Sequence, residues 1–341
     1  MFKYIFAFIT ALVSSAIITP LIIALAHRIG ALDVPRDQRR MHSKPVPRIG
    51  GLSLFFAFLI ALSIFSDLGS QKIFGLIFGS LIIVATGLVD DLKGLGPRTK
   101  LLMQLIAASV LFHYGFRIEF FTNLLEGSDI IEIGILSYPL TVFWIVGITN
   151  TINLMDGLDG LAAGITTIAA VTLSYVAFSF GRYETLLLSL ILVGANLGFL
   201  PYNFNPAKIF MGDTGALFLG FVLSAIAIEG AVKSATAIAV ILPLMALGLP
   251  IFDTTFAIFR RILTRRPLME GDTGHLHHRL VHMGMDQRRA VLVLYLIATL
   301  LGVSVVLLIN NLVLNTVITM AIVVFLVYIP IFITFRRSED E

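Results

Sequence analysis

The chain has 341 residues, of which 57% are hydrophobic and only 13% charged, with a formal net charge of +3 and a mean hydropathy of +0.96. A water-soluble core has no use for that much apolar sequence, so a soluble globular protein is excluded and an all-α membrane protein is expected. The chain has no cysteine, which removes disulfides, thiolate metal sites and a cysteine nucleophile.

A bilayer core of roughly 30 Å takes about 20 helical residues per crossing, and in lipid each backbone amide must find its partner inside its own segment. The apolar runs predict about eleven transmembrane helices, near 3–27, 50–66, 72–89, 100–116, 136–152, 160–180, 185–201, 214–232, 235–254, 289–309 and 313–335. With no internal repeat and no low-complexity linker, residues 1–341 read as a single polytopic bundle. The first run resembles a signal peptide at Ala24-Leu25-Ala26, but its charge flanks are reversed: Lys3 precedes it, whereas Arg28, Arg36, Arg39, Arg40, Lys44 and Arg48 follow.

These flanks place the N-terminus outside and residues 28–48 in the cytoplasm. Alternating the spans then puts 19 of the 24 Lys and Arg residues inside, leaves an acidic external loop with Glu119, Glu126, Asp129 and Glu132, and ends the chain inside. A cytoplasmic (inner) membrane protein is expected, with its basic face against anionic headgroups. Nucleic acid is not an expected partner, because the basic residues lie on short loops pressed against lipid.

Five polar loops, taken in chain order, fall on the same cytoplasmic side. They read HSKPVPRIGG (42–51), DDLKGLGPRTK (90–100), NTINLMDGLDG (150–160), NFNPAKIFMGDTG (203–215) and GDTGHLHHR (271–279). Asp90 and Asp91 at a membrane boundary need water, a cation or lysines beside them, so they are either solvated interfacial groups or a site for Mg²⁺ or proton transfer. Lys93, Arg98 and Lys100 follow closely and suit phosphate.

Asn150, Asn153, Asp156 and Asp159 recur every three residues, which on a helix makes one oxygen-rich stripe, either a polar cap between two spans or a surface for a hard cation. Asp213 is either the N-cap of the eighth span or a ligand at the depth of Asn153 and Asp156. In the long loop of about 255–288, His275, His277 and His278 lack the partners of a zinc set and suit phosphate or sugar hydroxyls better. Together the loops imply Mg²⁺ and phosphate-binding cations, which fits phosphoryl transfer between a nucleotide-activated donor and a lipid acceptor. A transporter or lipid flippase is the rival from another class, but such proteins set ionisable groups near the bilayer midplane, and here they sit at span ends, with Glu229 and Asp253 the nearest exceptions.

These motifs, in this order, resemble the polyprenyl-phosphate N-acetylhexosamine-1-phosphate transferase superfamily of integral membrane enzymes, over residues 42–279. The HLHHR stretch is most similar to the undecaprenyl-phosphate N-acetylglucosamine-1-phosphate transferases that initiate O-antigen, common-antigen and teichoic-acid synthesis. Three consecutive histidines mark the N-acetylmuramoyl-pentapeptide enzymes, and Leu276 interrupts that pattern. The resemblance implies that Asp213 and Asn153 bind Mg²⁺, with Mn²⁺ as a substitute, and that Lys100 contacts the donor pyrophosphate. It sets Asp90 and Asp91 in the catalytic centre beside the acceptor phosphate, with Asp156 next to the metal. Asp159, Asn203 and Phe210 would surround uracil, with Lys44 in the same nucleotide-binding set, while His275, His277, His278 and Arg279 would face the pyrophosphate or sugar. The implied partners are a UDP-sugar donor, a polyprenyl phosphate acceptor, the bilayer and a second copy in a homodimer.

Overall fold

A computed structural model of the chain describes residues 1–34, 45–122, 130–231, 238–264 and 274–339. Lys44, Arg36, Arg39, Arg40, Glu126, Asp129, Arg265 and Arg266 lie outside the described residues. Helices dominate: α1 (Phe2–Ile29), α2 (Gly51–Phe65), α3 (Gln71–Lys93), α4 (Pro97–His113), α5 (Ser137–Met155), α6 (Leu161–Ser179) and α7 (Tyr183–Asn203). They continue as α8 (Gly212–Ala231), α9 (Ile238–Ala246), α10 (Gly248–Leu263), α11 (Leu276–His282), α12 (Gln287–Ile309) and α13 (Val313–Glu339). Two short antiparallel ribbons, β1 (Leu32–Asp33) with β2 (Val46–Pro47) and β3 (Phe120–Thr122) with β4 (Ile130–Glu132), close loops at the bundle ends, a detail the apolar pattern does not carry.

Eight of these helices are long and apolar enough to cross a membrane, judged by length and composition; α2, with 15 residues, is a shorter apolar helix. The run expected over 235–254 is not one helix. It breaks at Leu247, between α9 and α10, because Pro250 has no N–H to offer the Ala246 carbonyl. The polar end of α10 carries Asp253, Ala257 and Arg261 on one buried face at four-residue intervals, while Phe252, Phe259, Ile262 and Leu263 point outward.

Helix α8 is the hub, packed against α2, α3, α5, α6, α7 and α9. It is apolar all round, as a fully enclosed helix must be, and Phe218 meets the rings of Phe55 and Phe58 edge-on at 5.6 Å. Lipid tails are as apolar as leucine, so close packing rather than transfer from water holds such a helix in place. Small residues allow it: a Cβ on Gly51 would lie 2.0 Å from the Gly215 nitrogen, and one on Gly87 2.5 Å from the Thr214 Cα. Both contacts fall at the first turn of α8, so α2 and α3 pin the end that carries Asp213.

Candidate active site

The site is built from five helix ends. Gly212 opens α8 with φ +66, a left-handed conformation natural to glycine, and a Cβ there would strike the Arg48 carbonyl oxygen at 2.1 Å. The orphan amides of α8 are capped from α3 rather than locally. The Asp213 N–H donates to Asp91 Oδ1 at 3.0 Å, while the Thr214 N–H and hydroxyl donate to Asp91 Oδ2 at 3.0 and 2.6 Å. Asp91 is 6% exposed, and both its oxygens are engaged. Asp213 is therefore not the N-cap of its own helix, and its carboxylate is free to project.

Two groups converge on that carboxylate. Asn153 donates through Nδ2 to Asp213 Oδ1 at 3.1 Å, and Lys100 donates through Nζ to Asp213 Oδ2 at 2.8 Å and to Asp90 Oδ2 at 3.0 Å. The Leu95 amide donates to the other Asp90 oxygen at 2.5 Å, closing the turn after α3. Pro97 at the start of α4 sets the helical φ that brings Lys100 round by its first turn. One turn deeper, Gln104 and Asn150 exchange amide hydrogen bonds of 3.2 and 2.6 Å and hold α4 in register with α5. Composition gave Gln104 no role, although its place one helical turn after Lys100 in an apolar span was the available signal.

Asp156, just past the end of α5, is crowded by burial first and then by Asp213, Asp91 and Asp159, which together push its carboxyl well above the ordinary carboxylate range. Asn153, Asp156, His275, His277 and His278 line one cavity of about 740 Å³ whose outer wall is apolar, with Trp144 and Ile258 among its residues. The imidazoles form a stack, His275 to His277 at 5.7 Å and 5° and His277 to His278 at 4.2 Å. His277 is 2% exposed, neither of its ring nitrogens has a hydrogen-bond partner, and it rests on the bare backbone of Gly157, where a Cβ would come within 2.4 Å of Nε2. Burial, aided by His278, lowers the His277 pKa to about 3, so the ring is neutral at physiological pH.

Of the residues expected around a nucleotide, Asp159 lies on the turn between α5 and α6, Asn203 ends α7 and Phe210 is on the loop between α7 and α8, and none of these three lines that cavity. Asp159 Oδ2 accepts from Asn205 Nδ2 at 2.9 Å and from the Ala207 amide at 3.1 Å. Asn203 donates to the Ile209 carbonyl at 3.0 Å, and its own Oδ1 is buried without a partner. Phe210 is tied through its backbone to Pro47 and Gly50. Arg279 is 8% exposed, with its Nε donating to the Gly274 carbonyl at 2.9 Å and its guanidinium over the Phe256 ring at 5.3 Å, a placement that holds the histidine loop.

Among the described residues no three His, Asp or Glu side chains form a ready cage for a metal ion. The donor set still fits Mg²⁺: Asp90, Asp91, Asp156 and Asp213 gather near Lys100, which is bonded to Asp90 and Asp213, and the oxygens of Asp213 and Asn153 belong to the hard-ligand class. Mg²⁺ keeps several waters and is held by one or two carboxylates plus substrate phosphates, so a sparse protein set is what such a site requires.

Comparison with known proteins agrees with the sequence resemblance. Residues 73–231 match the model of glycosyl transferase family 4. The chain is 44% identical over 311 residues to the probable undecaprenyl-phosphate N-acetylglucosaminyl 1-phosphate transferase of Bacillus subtilis (strain 168), covering 90% of this chain and 86% of the relative. It is 34% identical over 316 residues to the decaprenyl-phosphate N-acetylglucosaminephosphotransferase of Mycobacterium leprae (strain TN), covering 84% and 79%. A phospho-N-acetylmuramoyl-pentapeptide-transferase of Clostridium botulinum (strain Alaska E43 / Type E3) is 34% identical over 237 residues, covering 63% and 70%. With a helical membrane bundle, a lysine-bridged aspartate cluster and relatives matched over most of their length, the chain belongs to glycosyl transferase family 4.

Proposed function

We propose that the protein transfers N-acetylglucosamine 1-phosphate from UDP-N-acetylglucosamine to undecaprenyl phosphate, releasing UMP, as the first membrane step of a cell-envelope polysaccharide. The observation that carries this reading is the cluster itself. Four carboxylates and one bridging lysine meet at helix ends, beside a cavity lined by histidines on one side and apolar residues on the other. That combination matches a reaction whose two substrates are anionic phosphates, one in water and one in lipid. The 44% identity to an N-acetylglucosaminyl enzyme over 90% of the chain favours that sugar over the muramoyl-pentapeptide, whose enzyme matches only 63% of it.

Asp213 and Asn153 would hold Mg²⁺, which when bound neutralises the donor pyrophosphate. Lys100, now shared by Asp90 and Asp213, is the chain's own cation for that pyrophosphate. An oxygen of the lipid phosphate attacks the sugar-bearing β-phosphorus, a new phosphoanhydride bond forms, and the bond to UMP breaks with its electron pair leaving on the UMP phosphate. Direct displacement is favoured over a covalent aspartyl intermediate because both oxygens of Asp91 and both of Asp90 already accept hydrogen bonds. Asp91 acts by aiming Asp213. His277, neutral and unpartnered, offers a ring nitrogen to the sugar or phosphate group in the cavity.

Eleven crossings are reached when α2, α4 and the broken α9–α10 pair are counted with the eight longer helices, and with the basic flank that follows α1 this supports an N-terminus outside and a site on the cytoplasmic face. The test is direct: purified protein with undecaprenyl phosphate, Mg²⁺ and a panel of UDP-sugars, scored by UMP. UMP from UDP-N-acetylglucosamine, lost on chelation and restored by Mg²⁺ or Mn²⁺, is expected. Absence of UMP from every donor overturns the reading.

A further inference from the structure

Asp253 lies on α10, the polar half of the broken ninth span, and is 5% exposed. An ionised carboxylate at that depth is tolerated only if its oxygens are hydrogen-bonded. Both are. Asp253 Oδ2 meets His275 Nδ1 at 2.9 Å, and Asp253 Oδ1 accepts from the Leu276 amide at 2.7 Å. The second bond satisfies the first amide of α11, whose own preceding residue, His275, makes no side-chain cap. One side chain from another helix thus fixes both the start of α11 and the ring at its threshold.

The first bond has a chemical consequence. An imidazole whose Nδ1–H points at a carboxylate has its tautomer and ring plane set. His275 is 4% exposed, lines the 740 Å³ cavity and lies parallel to His277. Nε2 is then the nitrogen left for whatever enters that cavity.

We infer that Asp253 is a positioning residue for the transfer reaction: through its bonds to His275 and to the Leu276 amide, it presents His275 Nε2 as an acceptor for a sugar hydroxyl of the bound UDP-sugar. The inference rests on the function proposed above. Asp253→Asn keeps the size and an acceptor for the Leu276 amide, but it puts an amide N–H against His275 Nδ1 and reverses the tautomer.

The test is a double-mutant cycle with D253N, H275Q and the pair, assayed by UMP release and checked by thermal unfolding in detergent. D253N is expected to lower kcat about 10- to 100-fold, in the range seen when the hydrogen-bond partner behind a functional histidine is removed. In the H275Q background the same change is expected to lower kcat by less than about twofold, because groups acting as one unit are non-additive. D253E, which keeps the charge and displaces it by one methylene, serves in the same cycle should D253N not fold. An equal loss in both backgrounds overturns the inference and makes Asp253 a purely structural residue. A wild-type protein that releases no UMP fails the proposed function instead, and that outcome is distinct because it precedes the cycle.

Discussion

Helices α3 and α8 carry ionised groups at both ends of their shared contact, and the two ends are built differently. At one end Lys72 meets Glu229 at 2.7 Å, with the ammonium 5.9 Å from the Phe116 ring centre, so a cation answers a carboxylate there. At the other, Asp90 and Asp213 share Lys100, with Asp91 and Asp156 close by. Two unit charges 4 Å apart interact by about 4 kcal/mol at an effective dielectric near 20, so the second end carries a repulsion that its single lysine does not offset. A matched pair ties helices together; an excess of one sign is kept where a cation and an anionic substrate arrive to balance it. The proposed function makes the first end structural and the second functional, and that contrast can be broken by experiment.

The largest effect is expected at Asp213. Asp213→Ala removes the carboxylate on which Lys100 and Asn153 converge, and UMP release should fall at least about 1000-fold, as for loss of a principal electrostatic group, while the protein still inserts and unfolds at a temperature close to wild type. Wild-type turnover in this variant would end the functional reading of that cluster. Asp91→Ala should differ in kind, because it strands the Thr214 amide and hydroxyl in the interior. A stability loss of about 2–4 kcal/mol alongside lost activity is expected, since each unsatisfied buried donor costs about 1–3 kcal/mol. A stable but inactive Asp91→Ala would move Asp91 from aiming Asp213 to the reaction itself.

At the opposite end, Lys72→Met should lower stability by about 1–3 kcal/mol by leaving Glu229 without that partner, with kcat within about twofold of wild type. A large kcat loss there, at unchanged stability, would abolish the distinction between the two ends. His277 sharpens the comparison through pH. Its folded pKa of about 3 lies below the ordinary 6.5, so the unfolded chain takes up the proton first as pH falls. Its contribution to stability is complete above pH 6.5 and is lost progressively between 6.5 and about 3, at about 1.4 kcal/mol per pH unit. Thermal unfolding at pH 7 and pH 5 should therefore show a drop of about 2 kcal/mol in wild type that is absent in His277→Gln. Equal drops in both proteins would show that His277 is not the group being titrated.

The smallest effect concerns Asp90. The second pKa of a phosphate monoester is roughly 6, so the acceptor is already mostly dianionic at neutral pH and needs little help losing a proton. If Asp90 acts only as a base, Asp90→Asn should lose several-fold less activity at pH 8 than at pH 6. Equal losses would assign it to holding Lys100, in keeping with their 3.0 Å bond.

Much of this protein is legible from residue order alone. Apolar run length gives the helical membrane class, because a bilayer demands internally satisfied backbone over a set distance, and that demand is local. The stripe of Asn150, Asn153 and Asp156 follows from helical spacing, and all three residues line the cavity together with three histidines. What residue order could not assign is the task of each carboxylate. Asp90 and Asp91 are neighbours of identical chemistry, yet one holds a lysine and the other caps a helix that begins more than 100 residues later. Asp253 reads as an awkward charge near a span boundary until α11 returns to it, and the break beside it at Leu247 appears only once Pro250 is seen to withhold an amide from α9. Sequence sets which groups are available and at what membrane depth, since burial of apolar surface and backbone satisfaction depend on nearby residues. Tertiary structure alone decides which donors reach which oxygens, because a carboxylate's role is set by partners brought from distant parts of the chain.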